Sequence, residues 1–175
     1  MIFETRAEVT TLKEKMYESA EKTYEQLKKM LNTHGALEVL FKMKFDKIGY
    51  DPIDFAELNL IEQINQLFSD LVAMSALEEL FARYPNKKFR THLGAEPGFD
   101  IESLDGEIVA ECFAVTMAAS NGKLKKDSEK LMLKAEGRKK YIFFYSRNDL
   151  DEKLERVYEK FLEIEYVRFS CFPEE

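Results

Sequence analysis

Hydrophobic residues recur every three or four positions over the first third of the chain, which is the spacing of amphipathic helices. A first helix is predicted over 7–31, where Asn32 to Gly35 end the pattern. Its apolar face comprises Val9, Leu12, Met16, Ala20, Tyr24, Leu27 and Leu31. A second helix is predicted over 36–43, followed by a loop at Gly49 to Pro52.

The third and longest predicted helix runs from Phe55 to Arg83, with Asp54 as its cap. One face carries Leu60, Ile61, Ile64, Leu67, Phe68 and Leu71. After it, strands are predicted over 88–93, 99–103, 107–116, 141–146 and 166–172, and helices over 121–136 and 150–162. Tyr141 to Ser146 is apolar throughout, as in a strand covered on both faces. The chain therefore predicts an α/β (α+β) fold, a mixed sheet flanked by helices, with extra N-terminal helices.

The length and composition favour one domain. With 175 residues, 45% of them hydrophobic, the chain can bury one sizeable core. We expect a single domain over 1–175, in which an N-terminal helical region, 1–50, packs on a core of 54–175. No window holds the roughly 18 apolar residues of a membrane span, and the N-terminus lacks the basic-then-apolar order of a secretory signal. We expect no membrane association and a cytoplasmic location.

The charge is unevenly distributed along the chain. A net charge of −7 argues against binding polyanions over the whole surface. Residues 122–140, the basic segment, nevertheless contain eight Lys or Arg against three acids, a local charge of +5, so the remaining chain carries −12. Cys112 and Cys171 lie far apart in apolar runs and are predicted to be buried reduced thiols. With His34 and His92 as the only histidines, metal sites with oxygen ligands remain open.

A predicted hairpin brings two acids together. A two-residue type I′ turn at Asp105-Gly106 would set the pairing of its strands. Counted outward, the pairs are Ser103 with Ile108, Glu102 with Val109, Ile101 with Ala110, and Asp100 with Glu111. Like charges directly opposite each other on a half-buried sheet are destabilising, so Asp100 and Glu111 need compensation.

The residues leave several explanations open. A shared proton would raise one carboxyl pKa strongly. A divalent cation would take oxygens from both carboxylates and from Glu102, which lies on the same face. A slipped register, or a face open to water, would remove the conflict altogether.

An Asp at the start of one strand, a Glu in the next and a following helix resemble the PD-(D/E)XK nuclease superfamily. Its restriction-endonuclease-like αβββαβ core would correspond to the elements predicted over 55–146, about half the chain. The resemblance implies that Asp100 and Glu111 bind Mg²⁺ (or Mn²⁺), which lowers the pKa of a bound water and neutralises charge on a scissile phosphate. It also implies an acid on the first core helix. Glu57 fits that role better than Glu62, because it falls within the helix's apolar arc.

The superfamily's lysine, two residues after the glutamate, is Phe113 here. Phenylalanine can neither donate a hydrogen bond nor carry charge, so the motif is incomplete. Some superfamily members recruit this lysine from the following helix, where Lys123 or Lys126 could reach back to the acids. The alternative for each lysine is an ordinary solvated helix face.

The basic segment suggests a contact surface for DNA beside the predicted metal site. The predicted nucleic-acid contacts are Lys123, Lys125, Lys126, Lys130 and Asn121, with Lys134, Arg138, Lys139 and Lys140 continuing the surface. Asn121 is also explained as a helix cap.

Two functions follow from these observations. The first is a metal-dependent nuclease that hydrolyses phosphodiester bonds in DNA, as restriction or repair nucleases do. The alternative is a catalytically degenerate nuclease fold that binds nucleic acid or a protein partner without cleavage, as Phe113 would allow. The apolar face of the first helix also admits a homodimer, although packing within its own domain explains that face as well.

Overall fold

The computed structural model describes residues 1–93, 98–116, 122–147 and 152–169. In chain order the elements are β1 (Ile2–Phe3), α1 (Arg6–Thr33), α2 (Ala36–Phe45), β2 (Gly49–Tyr50), β3 (Glu57–Leu58), α3 (Leu60–Arg83), β4 (Phe89–Thr91), β5 (Ile101–Ser103), β6 (Ile108–Val115), α4 (Lys123–Lys134), β7 (Lys139–Ser146), α5 (Glu152–Lys160) and β8 (Ile164–Phe169). The predicted order of helices, three strands and then alternating helices and strands is confirmed for these elements, whereas the two-residue strands β1, β2 and β3 are not predicted. Asn121 and Cys171 lie outside the described residues.

The chain divides into two compact units. One comprises residues 7–71 and is mainly helical, with a single pairing of β2 with β3. The other comprises residues 1–6 and 72–175 and contains the large sheet. Among the described residues, no helix combines the length and the apolar character that crossing a membrane requires.

The second half of α1 buries polar residues where the sequence predicts apolar ones. Tyr24 and Leu31 are exposed, whereas Ser19 and Thr23 are buried. The Thr23 hydroxyl donates to Gln63 Oε1 at 2.6 Å, and Gln63 Nε2 donates to Ser19 Oγ at 3.2 Å. Because these groups satisfy one another, their burial carries little penalty. The predicted apolar face is correct only for the first half of α1.

α3 begins at Leu60, five residues after the predicted start, so that boundary is wrong. Asn59 Oδ1 accepts the Glu62 N–H at 2.9 Å, and Glu62 Oε2 accepts the Asn59 N–H at 3.4 Å, which is a capping box. The predicted cap, Asp54, instead accepts the Ala56 N–H at 2.8 Å within the turn before β3.

The apolar face predicted for α3 is only partly correct. Leu67 and Leu71 are buried, but Ile61 and Ile64 are exposed. Over 72–77 every residue is buried. A helix that is apolar on all sides is a core helix, and this second half of α3 belongs to the unit with the sheet.

The large sheet has six strands in the order β1-β4-β5-β6-β7-β8. The pairs from β1 to β6 are antiparallel, whereas β6, β7 and β8 run parallel. The predicted mixed sheet flanked by helices is therefore confirmed. β7 is buried over 140–144, as its continuous apolar run predicts.

Helices cover both faces of the sheet. On one face, Leu124 and Leu131 of α4 join a core with Phe144 of β7 and with residues of α5. On the other face, the ring of Phe81 in α3 meets Phe89 of β4 edge-on, with centroids 5.1 Å apart. The face beneath α4 carries the residues of the candidate site.

The hairpin of β5 and β6 has the predicted register. Ile101 pairs with Ala110 and Glu102 pairs with Val109, as the sequence predicts. Side chains alternate between the two faces of a strand, so Val109 and Glu111 lie on the face that α4 covers.

The turn of this hairpin differs from the predicted one. Residues 104–107 form a longer loop in which the Gly106 N–H donates to the Ser103 carbonyl at 2.9 Å. Gly106 has a φ of +77°, but Asp105 does not have a positive φ, so the type I′ prediction is wrong. Both loops are centred between residues 105 and 106, so the pairing of the strands is the same.

Candidate active site

Two acids are neighbours on the sheet face beneath α4. Asp100 immediately precedes β5, and Glu111 lies in β6, one step beyond the pair of Ile101 with Ala110. The Cys112 N–H donates to Asp100 Oδ2 at 2.7 Å, so the Asp100 carboxylate lies against the backbone of β6. Glu111 is only 2% exposed. The hairpin therefore brings together the two acids that its register predicts.

A lysine of α4 compensates part of this negative charge. Lys130 Nζ lies 2.6 Å from Glu111 Oε1 and 5.4 Å from the centre of the Phe99 ring. The contact is an ion pair that lowers the pKa of Glu111 and offsets part of its negative charge.

A second ion pair of α4 lies in the same site. Lys123 Nζ is 3.0 Å from both carboxylate oxygens of Asp127, which is buried. Lys123 Nζ also lies 5.8 Å from the centre of the Phe113 ring. These five charged groups, Asp100, Glu111, Asp127, Lys123 and Lys130, are the charged cluster.

Burial dominates the titration of the three acids. It raises the pKa of Glu111 to about 7, with further increases from the charges of Asp100 and Asp127, although Lys130 lowers it. Burial also raises the pKa of Asp100, against the Cys112 N–H and both lysines. The pKa of Asp127 is raised by burial and by the charge of Asp100, against its pairing with Lys123.

The lysines of the charged cluster differ in their surroundings. Burial is the largest single effect on the pKa of Lys123 and acts to lower it, but the charge and hydrogen bond of Asp127, with the charges of Asp100 and Glu111, together leave that pKa raised. Lys123 therefore stays protonated near neutral pH. With all five groups ionised, three carboxylates and two ammonium groups leave one net negative charge, which suits binding of a cation.

The prediction from the sequence places neither Asp127 nor Lys130 in the acid site. Lys123, Asp127 and Lys130 are spaced by four and three residues, so they share one face of α4. Leu124 and Leu131 follow the same period and are buried. Asp127 is an acid on the buried face of the otherwise basic helix α4, so helical periodicity could have indicated its role.

Other predicted site residues lie elsewhere. Glu102 accepts a hydrogen bond from Arg138 Nη1 at 2.7 Å. Glu57 is exposed in β3 and belongs to the unit of residues 7–71, so its predicted position on the first core helix is wrong. Lys125 and Lys126 are exposed on α4, and Lys126 does not reach the acids as predicted, since Lys123 and Lys130 occupy that position.

Phe113 and Cys112, next to Glu111 in β6, are both core residues. Phe113 is buried in the core beneath α4 and stacks on Phe144, with ring centroids 5.5 Å apart. Cys112 is a buried free thiol whose pKa is raised well above its usual value by burial. It is buried as predicted, and by strand alternation its side chain faces away from Glu111.

Much of the basic segment is neutralised locally. Besides the pairs within the charged cluster, Arg138 pairs with Glu102, and the buried Lys140 pairs with Glu163 at 3.0 Å. Lys125 lies 3.8 Å from Glu129. Few of the eight cations therefore extend into solvent without an acid nearby.

The chemistry of the donors in the charged cluster suits a hard divalent cation, since carboxylate oxygens are the ligands that Mg²⁺ and Mn²⁺ prefer. Within the described ranges, no three His, Cys, Asp or Glu side chains gather closely enough to hold a metal ion by themselves. Mg²⁺ commonly uses one or two carboxylates and completes its coordination with water and substrate phosphate. Asp100 and Glu111 supply two carboxylates, which is the number that sites of that kind use.

Comparisons with known proteins do not identify the chain's family. No family model matches it, and no curated protein or solved structure matches it significantly. The charged cluster and the order of the elements around it are therefore the features that bear on function.

Proposed function

We propose that the protein is a metal-dependent nuclease that hydrolyses phosphodiester bonds in DNA. The observation that carries the proposal is the contact of Lys130 with Glu111, at 2.6 Å, on a sheet face where Asp100 lies beside Glu111. Two acids and a lysine are the chemical groups that the PD-(D/E)XK superfamily uses. Here the lysine comes from α4, because the corresponding strand position is Phe113.

The order of the elements supports the same proposal. A helix, three antiparallel strands, a second helix and a strand parallel to the third strand follow one another as α3, β4, β5, β6, α4 and β7. This is the αβββαβ order of a restriction-endonuclease-like core. Asp100 lies directly before the second of its strands and Glu111 lies in the third, which resembles the placement of the acids in that superfamily.

The chain's own residues have distinct proposed roles. Asp100 and Glu111 would hold Mg²⁺ or Mn²⁺, which when bound lowers the pKa of water and offsets the charge of the scissile phosphate. The Lys130 ammonium can donate hydrogen bonds to an attacking water beside Glu111 and so orient it. Lys123 keeps Asp127 charge-paired beneath them.

The experiment measures Mn²⁺ binding by calorimetry and cleavage of duplex and single-stranded DNA in the wild type and in Asp100→Asn, Glu111→Gln and Lys130→Met. We expect both acid variants to lose Mn²⁺ binding. Lys130→Met should keep binding but reduce cleavage about 10²-fold or more, the usual contribution of such a group.

Matched controls come from the same elements. Glu102→Gln lies on the same sheet face but is bonded to Arg138, and Lys126→Met is exposed on α4, so both should retain Mn²⁺ binding and cleavage. Chelation with EDTA should abolish cleavage. Absence of Mn²⁺ binding in the wild type, or equal cleavage in Lys126→Met and Lys130→Met, would contradict the proposed catalytic role.

The burial of Phe113 favours a second candidate function, binding of DNA without cleavage. The position of the superfamily's lysine is filled here by a core side chain stacked on Phe144. A protein of this kind would bind DNA in a salt-sensitive way through exposed cations such as Lys126 and Lys134, and would release no cleavage product with Mg²⁺ or Mn²⁺.

A further inference from the structure

α4 covers only part of the sheet face that carries the charged cluster. Two neighbouring rows of paired residues cross this face from β4 through β5 and β6 to β7. One row is Arg90, Glu102, Val109 and Lys140, and the other is His92, Asp100, Glu111 and Ile142. In both rows the residues of β6 and β7 are buried, whereas those at β4 and β5 are exposed or half-buried. Among the described residues, the β4 and β5 end of these rows, which we call the open end, is therefore the accessible side of the charged cluster.

Arg90 and His92 lie at the open end. Phe89 and Thr91, which alternate with them along the chain, are buried, and Phe89 packs against α3 on the other face of the sheet. Because successive side chains of a strand point to opposite faces, Arg90 and His92 point to the face of the charged cluster. They are two residues apart, which is about 6.8 Å along a strand. One extended ligand can therefore contact both.

Arg90 is an exposed cation at the open end. Glu102 is the residue paired with it across the strands, but the Glu102 carboxylate accepts a hydrogen bond from Arg138 Nη1 at 2.7 Å. A guanidinium presents its N–H donors in one plane and binds phosphate oxygens in pairs. Arg90 is thus suited to binding a phosphate group beside the charged cluster.

His92 lies between Arg90 and the acids. Its backbone N–H donates to the Asp100 carbonyl at 3.0 Å, which continues the pairing of β4 with β5 by one residue. The His92 ring lies against Gly98, where an added Cβ would be only 3.3 Å from Cδ2. Residues directly opposite on a sheet have Cβ atoms about 5 Å apart, so the ring is held next to the Asp100 side chain. An imidazole has an N–H donor in either protonation state and can bind a phosphate oxygen.

We propose that a DNA strand reaches the charged cluster across the open end, with Arg90 and His92 contacting its phosphates. The charged cluster itself carries one net negative charge when all its groups are ionised and would repel phosphate, so cations beside it are needed to hold the strand there. Contacts of this kind position a nucleic acid without reading its bases. The inference rests on the proposed function, because it takes DNA as the substrate of the charged cluster.

Fluorescence anisotropy with a labelled DNA duplex in the presence of EDTA tests the inference, because no cleavage occurs without metal and only binding is measured. Arg90→Gln and His92→Ala should each raise the dissociation constant several-fold. Arg90→Gln should also reduce the slope of log K against log salt concentration by about 0.9, since one phosphate contact is lost. Both variants should still bind Mn²⁺ in calorimetry, because Asp100 and Glu111 are unchanged.

Lys139→Gln is the matched control. It removes an exposed cation from the same sheet, but Lys139 lies on the opposite face, with its Nζ 4.8 Å from the centre of the Tyr84 ring. The dissociation constant and the salt slope should therefore stay at their wild-type values in this variant.

Binding and cleavage separate this inference from the proposed function. Weaker binding by Arg90→Gln supports the inference even if the wild type cleaves no DNA, an outcome that would contradict only the nuclease activity. In a chain that does cleave, Arg90→Gln should raise KM more than it lowers kcat. Wild-type affinity in both Arg90→Gln and His92→Ala, or an equal loss in Lys139→Gln, would overturn the inference and leave the proposed function standing. A wild type that does not bind the duplex would overturn both.

Discussion

Glu111 shows how burial changes what one residue can do. It lies beneath α4 with Asp100 and Asp127 as neighbours, and Lys130 compensates only part of the charge. Its pKa of about 7 lies above the usual 4.5, so the folded chain holds this proton more tightly than the unfolded chain does. The contribution of Glu111 to stability is therefore full below about pH 4.5 and is lost as the pH rises through 7.

Glu111→Gln should consequently stabilise the fold at high pH. At pH 8 the ionised wild-type carboxylate costs up to roughly 3 kcal/mol, which an amide avoids, so the melting temperature of the variant should exceed that of the wild type. The difference should shrink toward pH 5. Circular dichroism melts between pH 5 and 8.5 measure it, with the exposed Glu129→Gln as control. A difference that does not change with pH would show that Glu111 does not titrate as inferred.

At the scale of elements, local sequence patterns predict which elements form and how the strands pair better than they predict where the elements begin and end. The hairpin register is correct although its turn is wrong, because pairing depends on the centre of the loop rather than on its length. The start of α3 is wrong, because Asn59 and Glu62 form a capping box that outweighs the apolar periodicity before it. The apolar face predicted for the second half of α1 is wrong, because Ser19 and Thr23 form hydrogen bonds with other elements and are buried instead.

The hairpin turn can be tested through Gly106. Its φ of +77° is costly for a residue with a side chain, although a Cβ at this position would meet no other atom within 4 Å. Gly106→Ala should therefore lower the free energy of unfolding by about 1 kcal/mol through the backbone alone. Urea denaturation measures this change. Gly106→Asn should be less affected, since asparagine tolerates this conformation, and equal losses in both variants would contradict the explanation.

At the scale of the whole molecule, the charge map differs from the one that the composition suggests. The basic segment carries a formal charge of +5, but Lys123, Lys130, Arg138 and Lys140 pair with acids from α4, β5, β6 and the loop before β8. A DNA-contacting surface on this segment would therefore depend on a few exposed cations, among them Lys126 and Lys134.

The salt dependence of DNA binding reports how many cations of this segment contact phosphates. Each phosphate neutralised contributes about −0.9 to the slope of log K against log salt concentration, so two or three exposed lysines predict a slope of roughly −2 to −3. All eight cations would give about −7. Fluorescence anisotropy with a labelled duplex between 50 and 300 mM salt measures the slope. A slope near −7 would show that the ion pairs open when DNA binds.

The sequence by itself determined the order of the elements, the mixed α/β class and the opposition of Asp100 and Glu111, because these follow from local periodicity and from pairing about one turn. Only the tertiary structure decided that Lys130 contacts Glu111 and that Asp127 joins the site, because these contacts depend on how α4 lies on the sheet. It also decided which faces of α1 and α3 are exposed. Periodicity shows that a helix has an apolar face, but the neighbouring elements decide whether that face is covered.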